Sequence, residues 1–258
     1  MIKGKKIVLT GATGGVGSEI AKMLYEAGAR LILVSKNENK LKQLQESLTG
    51  DESSEIVKYL SVDFNDLEQV KKSVYEIIKI FNSSIDVLIN NAGIGYHGKI
   101  ETIDADELKE VFAVNTLAPI IITSKLLPFV SRSDAGHIIN ISSILGSRSM
   151  ARTAAYAASK HALTGFTKVL RLEASRQGVR VTAIEPGAID TAFILRTHES
   201  EAKEYFSKRK LTKIPPTIKI TGRAVASIPT AKPVIIFVPC PVWDAFAMSL
   251  TGLYLWSV

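Results

Sequence analysis

The sequence predicts a single α/β domain built on a doubly wound parallel sheet of about seven strands, with helices on both faces. Three observations carry that expectation. Short apolar runs alternate with amphipathic stretches, and those stretches are long enough to be helices, which is the signature of repeated βαβ units. The connections are short, and no internal repeat is visible. At 258 residues the chain can bury a full core in one domain.

The apolar runs expected as strands are 6–10, 31–34, 56–62, 85–90, 136–142, 179–184 and 234–238. Helical periodicity lies near 15–28, 37–48, 66–81, 104–130 and 154–177. The pattern loosens after Thr191: 192–213 is polar and basic, 214–233 holds four prolines, and the chain from Val234 is apolar. We read these as a substrate lid over about 190–215 and an apolar strand and helix over 232–258, all within the one domain 1–258.

Hydrophobic residues make up 46% of the chain and charged residues 22%, as in ordinary soluble globular proteins. The lone cysteine, Cys240, excludes an intramolecular disulfide and suits a reducing compartment. Residues 1–6 run straight into Ile7-Val8-Leu9 with no secretory pattern. The charge-free runs 111–124 and 245–258 fall short of the roughly 18–20 residues of a membrane span. A cytoplasmic protein with no transmembrane segment is expected. The net charge of +7 comes from scattered basic residues with one local cluster at 203–213, and no recognised module accompanies it, so nucleic acid is not an expected partner.

Two segments carry chemistry. Thr10-Gly11-Ala12-Thr13-Gly14-Gly15-Val16-Gly17 follows the first strand and opens the first helix. Glycines there allow a tight turn and close approach of a pyrophosphate to the free N–H groups of the helix start. The second segment is Tyr156-Ala157-Ala158-Ser159-Lys160 at the start of a helical stretch. Tyr156 and Lys160 are four apart and share a helix face. A free tyrosine ionises near about 10, and a neighbouring ammonium favours the phenolate. Ser143 lies thirteen residues upstream at the carboxyl end of an expected strand, where α/β sheets place their ligands. His97, His137, His161 and His198 show no metal-ligand spacing with one another or with Cys240, and no metal site is expected.

Taken together, these features resemble the classical branch of the short-chain dehydrogenase/reductase family, with its Rossmann-type sheet. The matching residues run in the family's order over about 5–191: the glycine turn, Asp63, Asn90-Asn91-Ala92-Gly93, Asn115, Ser143, Tyr156 and Lys160, and Pro186-Gly187 followed by Thr191. The resemblance implies hydride transfer between a nicotinamide cofactor and a carbonyl or secondary alcohol. It makes Tyr156 the general acid/base, with Lys160 on the nicotinamide ribose, Ser143 on the substrate oxygen and Asn115 in the proton relay. It places Gly11, Thr13, Gly14, Gly15, Val16 and Gly17 around the pyrophosphate, Asp63 on the adenine amino group, and Asn91, Ala92 and Gly93 behind the cofactor. Pro186, Gly187, Ile189 and Thr191 would meet the nicotinamide end. By analogy with the family, a homodimer or homotetramer is expected, paired through 104–130 and 154–177.

NADP(H) is the expected cofactor, with NAD(H) possible. The second expected strand ends at Val34 and is followed by Ser35-Lys36-Asn37, with no carboxylate to repel a 2′-phosphate. Ser35 offers a hydroxyl and Lys36 a positive charge instead. The apolar chain from Val234 points either to a lipophilic carbonyl substrate, or a subunit or peripheral membrane contact, or equally to plain core packing. The glycine turn fits two spacings, through Gly11, Gly15 and Gly17 or through Gly11, Gly14 and Gly17, so it alone also admits an extended-branch sugar-nucleotide epimerase or dehydratase. A non-catalytic dinucleotide sensor is the other rival, although it would have no use for Ser143, Tyr156 and Lys160 together.

Overall fold

The computed structural model describes residues 2–50, 55–82, 84–187 and 236–237. The expected lid at 190–215, Ile189, Thr191 and all of 232–258 except Ile236 and Phe237 lie outside the described residues. The described elements alternate from the start: β1 (Lys6–Thr10), α1 (Gly15–Glu26), β2 (Arg30–Ser35), α2 (Glu38–Thr49), β3 (Val57–Ser61), α3 (Leu67–Phe81) and β4 (Val87–Asn90). They continue with α4 (Ala105–Phe112), α5 (Ala118–Val130), β5 (His137–Ile141), α6 (Ala154–Ser175), β6 (Arg180–Glu185) and β7 (Ile236–Phe237).

All pairings are parallel, in the order β3-β2-β1-β4-β5-β6-β7. Six strands run four to six residues, and of the expected 234–238 only Ile236–Phe237 lies among the described residues, as β7. The order reverses between β1 and β4, which opens a crevice at the carboxyl edge of the sheet where such folds bind their ligands.

Alternation along each central strand builds the two layers. Ile7, Leu9, Leu31 and Leu33 pack with Ile20, Ala21 and Leu24 of α1 and Leu41 of α2. Val8, Ile32 and Val34, one residue out of phase, pack with Val70, Val74 and Ile77 of α3, Ile122 and Leu126 of α5, and Leu170 of α6. A strand buried on both faces must be apolar at every position, and this is why β1 and β2 read as unbroken aliphatic runs.

The helical run expected over 104–130 is interrupted. Between α4 and α5 the chain makes a π turn at Ala113–Leu117, closed by Ala118 N–H donating to the Ala113 carbonyl. Pro119 supplies a physical reason: it has no N–H to give the Asn115 carbonyl four residues back, so a regular α ladder cannot continue there. By length and composition Ala105–Val130 could cross a membrane, but 56% of its apolar window is buried, with Ile122, Leu126 and Val130 in the core beside α3.

At the opposite edge of the sheet, His137 opens β5, 6% exposed, with Nε2 at 2.9 Å from the Thr182 hydroxyl. Burial, and then the charge of Arg180, push its pKa down to about 4. The unfolded chain takes up a proton near pH 6.5 that the native state refuses until about pH 4. Stability should therefore fall as pH drops through that window, by up to about 3 kcal/mol from this group alone. In thermal melts from pH 7 to pH 4, His137→Gln should show a shallower loss than the parent. An identical slope would remove His137 from the acid response.

Candidate active site

The glycine turn is fixed by sterics. Gly11 has φ of +65°, and a Cβ on it would sit 2.7 Å from the Ala92 Cα. A Cβ on Gly17 would come within 2.1 Å of the Gly11 carbonyl oxygen. A Cβ on Gly14 would meet that oxygen at 3.4 Å, so this position is less demanding. Gly14 precedes α1, no side chain caps that helix, and its first turn has no acidic residue. The uncapped N–H groups beside an open glycine backbone fit a pyrophosphate in both shape and charge.

The turn is stitched to the end of β4. The Thr10 hydroxyl accepts from Asn91 N–H and Ala92 N–H, each at 3.0 Å. The Asn91 amide donates back to the Thr10 and Gly11 carbonyls, both at 3.1 Å. Gly93 follows in the same loop. Thr10 did not stand out as a site residue in the sequence; its signal was a hydroxyl on the last strand position before the first glycine.

A second corner forms where β2 and β3 end. Thr13 and Ser35 hydroxyls are 2.6 Å apart. Lys36 Nζ lies 2.6 Å from Asp63 Oδ2. Burial works against the Asp63 carboxylate, but the Lys36 ammonium and the Asn65 N–H outweigh it and hold its pKa below the usual range. Thr13, Ser35, Lys36 and Asp63 are thereby gathered at the edge beside the glycine turn.

The third group lies where β4, β5, the π turn and α6 meet. Asn115, fully buried in the π turn, accepts from Ile94 N–H at 2.8 Å and donates to the Ile94 carbonyl at 2.9 Å and the Ser159 hydroxyl at 3.0 Å. Ser159 in turn donates to the Tyr156 carbonyl at 2.7 Å, and its own carbonyl accepts from Thr116 Oγ1 at 3.0 Å. Ser159 is a positioning residue that sequence reasoning passed over; its one signal was its place directly before Lys160.

Ser143 leads a 3₁₀ turn (Ile144–Gly146) after β5, and its Oγ accepts from Leu145 N–H at 3.1 Å. That turn is braced by β6, because Ile144 N–H donates to the Pro186 carbonyl at 3.0 Å. Gly187 is the last described residue of this stretch. Ser143 also hydrogen-bonds the Tyr156 side chain. With one lone pair engaged by Leu145, its hydroxyl proton is available to an oxygen.

Burial sets the electrostatics of this group. Burial pushes the Tyr156 phenol up to about 12, against a downward pull from the Ser143 hydrogen bond. Burial also pushes Lys160 down to about 8. The ammonium donates to the Ile141 carbonyl at 3.0 Å and lies 5.8 Å from the centre of the Tyr156 ring. Burial thus outweighs the Ser143 hydrogen bond at the phenol, while the Lys160 ammonium is held by a backbone carbonyl. His161 is exposed, with Nδ1 2.9 Å from the Ala157 carbonyl on its own helix, and His97 is buried. Among the described residues, no three His, Cys, Asp or Glu side chains gather as a metal site.

The family model described as short chain dehydrogenase matches residues 5–202. A bovine protein, dehydrogenase/reductase SDR family member 7B, is 36% identical over 208 residues, covering 79% of this chain and 64% of the relative. This chain thus spans less than two thirds of that relative's length. An uncharacterized oxidoreductase of Staphylococcus epidermidis is 32% identical over 203 residues, 79% of this chain and 86% of its own length. Among solved structures, a short-chain dehydrogenase from Streptomyces avermitilis superposes with a TM-score of 0.68 at 30% identity, covering 74% of this chain and 68% of that one. An alcohol dehydrogenase from the archaeon Thermococcus sibiricus, complexed with 5-hydroxy-NADP, gives 0.69 at 27% identity, covering 74% and 79%. With the family model spanning the glycine turn, the π turn and the Ser143–Tyr156–Lys160 group, the chain belongs to the short-chain dehydrogenase family.

Proposed function

We propose that the protein is an NADP(H)-preferring oxidoreductase that exchanges a hydride with a carbonyl or secondary alcohol carbon, working as a reductase of a lipophilic carbonyl. The observation that carries this reading is the meeting of Ser143, Tyr156 and Lys160 at the ligand edge of the sheet, with Ser143 hydrogen-bonded to Tyr156. A bound nicotinamide supplies or takes the hydride. Ser143 holds the substrate oxygen with the O–H it otherwise gives to Tyr156, and Tyr156 gives that oxygen a proton in reduction or removes it in oxidation. Lys160 would hold the ribose hydroxyls of the cofactor, and its charge there would favour the Tyr156 phenolate. Asn115 holds the π turn against α6 so that the relay keeps its geometry.

Gly11, Gly14, Gly15, Val16 and Gly17 would cradle the pyrophosphate, and Asn91, Ala92 and Gly93 would back it. Asp63 would take the adenine amino group and Pro186 and Gly187 the nicotinamide end, a role the family resemblance also gives to Ile189 and Thr191, which lie outside the described residues. The cofactor preference is supported by Thr13, Ser35 and Lys36 at the end of β2, where no carboxylate follows the strand. A lipophilic substrate is supported by the apolar cluster of Ile94, Tyr96, Ile103, Leu108 and Val111 that packs beside Tyr156. Exposed Leu117, Val169 and Leu172 on the α5 and α6 side support assembly with a second copy.

Tyr156→Phe should abolish reduction of a ketone panel while binding NADPH as the parent does, measured by cofactor consumption and fluorescence titration. Retention of a tenth of the parent kcat would remove Tyr156 from the mechanism. Ser35→Asp should weaken NADPH and improve NADH, because it adds a like charge at the 2′ position. A parent kcat/KM higher with NADH than with NADPH would overturn the preference.

A further inference from the structure

The corner where β2 and β3 end holds a charge that is already committed. Lys36 has its backbone pinned: the Ser61 hydroxyl donates to the Lys36 carbonyl at 3.0 Å, and Val62 N–H donates to the Ser35 carbonyl at 2.8 Å. Its neighbour Asn37 caps α2 through Lys40 N–H at 2.9 Å. With the backbone held on both sides, only the side chain can move. Its ammonium is bonded to Asp63 at 2.6 Å, although 68% of the Lys36 side chain is exposed to solvent. Asp63 is less free: 28% of its side chain is exposed, and its Oδ1 accepts from Asn65 N–H at 3.0 Å, which fixes the carboxylate in a local turn. A mobile cation thus leans on a fixed anion.

We infer that Asp63 sets how strongly the protein discriminates between NADP(H) and NAD(H), by holding the Lys36 ammonium that a 2′-phosphate would otherwise meet. This rests on the cofactor reading above. An incoming 2′-phosphate carries more charge than the carboxylate and draws the exposed ammonium away, leaving Asp63 unpaired beside a second anion. A cofactor with two ribose hydroxyls makes no such demand and leaves the pair closed. The carboxylate therefore subtracts from NADP(H) affinity alone, and both cofactors remain usable. The effect is modest because the pair is partly solvated and screened by salt.

The test is a double-mutant cycle on the full chain, reading dissociation constants for NADPH and NADH by fluorescence titration at low ionic strength. Asp63→Asn keeps an oxygen for Asn65 N–H and removes only the charge. Any change in its adenine contact is common to both cofactors and cancels in their ratio. Asp63→Asn should raise the preference for NADPH by about two- to fivefold, the scale of an exposed ion pair. In a Lys36→Ala background the same substitution should leave the ratio unchanged. An unchanged ratio for Asp63→Asn alone overturns the inference and leaves the NADP(H) reading standing. An equal rise with and without Lys36 also overturns it, since Asp63 would then repel the phosphate directly. If Lys36→Ala by itself leaves the parent ratio unaltered, the phosphate role of Lys36 fails, and the inference fails with it.

Discussion

The amide of Asn115 is the interaction on which the site's geometry rests. It is fully buried, and its three hydrogen bonds reach two separate parts of the chain: the loop after β4 at Ile94 and helix α6 at Ser159. A buried amide left without partners costs about 1–3 kcal/mol per group, so this clamp holds all three parts in one register. Through Ile94 it locates the loop that carries Asn91 and Gly93 under the glycine turn. Through Ser159 it locates the helix turn that carries Tyr156 and Lys160. The π turn follows from the same residue and from Pro119, which cannot extend an α ladder through it.

The charges in the site are arranged against ionisation. Burial raises Tyr156 to about 12 and lowers Lys160 to about 8, so the phenolate and the ammonium are each disfavoured. The bond from Lys160 to the Ile141 carbonyl relieves part of the desolvation without helping the tyrosine. On the proposed reading, Lys160 would hold the ribose hydroxyls of a bound cofactor, and its charge would then favour the Tyr156 phenolate.

Much of this was legible in the sequence because sheet physics leaves little freedom. Strands buried on both faces must be aliphatic throughout, and the six longer strands stand where the apolar runs lie. Gly11 and Gly17 are required by contacts of 2.7 Å and 2.1 Å to backbone atoms, and such constraints leave a fixed mark on the chain. The π turn was not legible: 104–130 is periodic throughout, and the break depends on where the Asn115 amide finds Ile94 in space. Ser159 and Thr10 were passed over for a related reason. Their importance lies in partners 44 and about 81 residues away, which no local pattern displays. The Lys36–Asp63 pair joins the ends of two strands that are neighbours only in the folded sheet.

Activation of Tyr156 by the loaded cofactor can be read directly by ultraviolet difference titration of the phenol, taking the parent minus Tyr156→Phe, with and without NADP⁺. The free protein should show Tyr156 ionising near the value of about 12 set by burial. Saturation with NADP⁺ should bring it down by two or more pH units, roughly the scale of an adjacent ammonium and cationic ring. A tyrosine already ionising near neutrality in the free protein, or one that NADP⁺ leaves unmoved, would contradict cofactor-dependent activation.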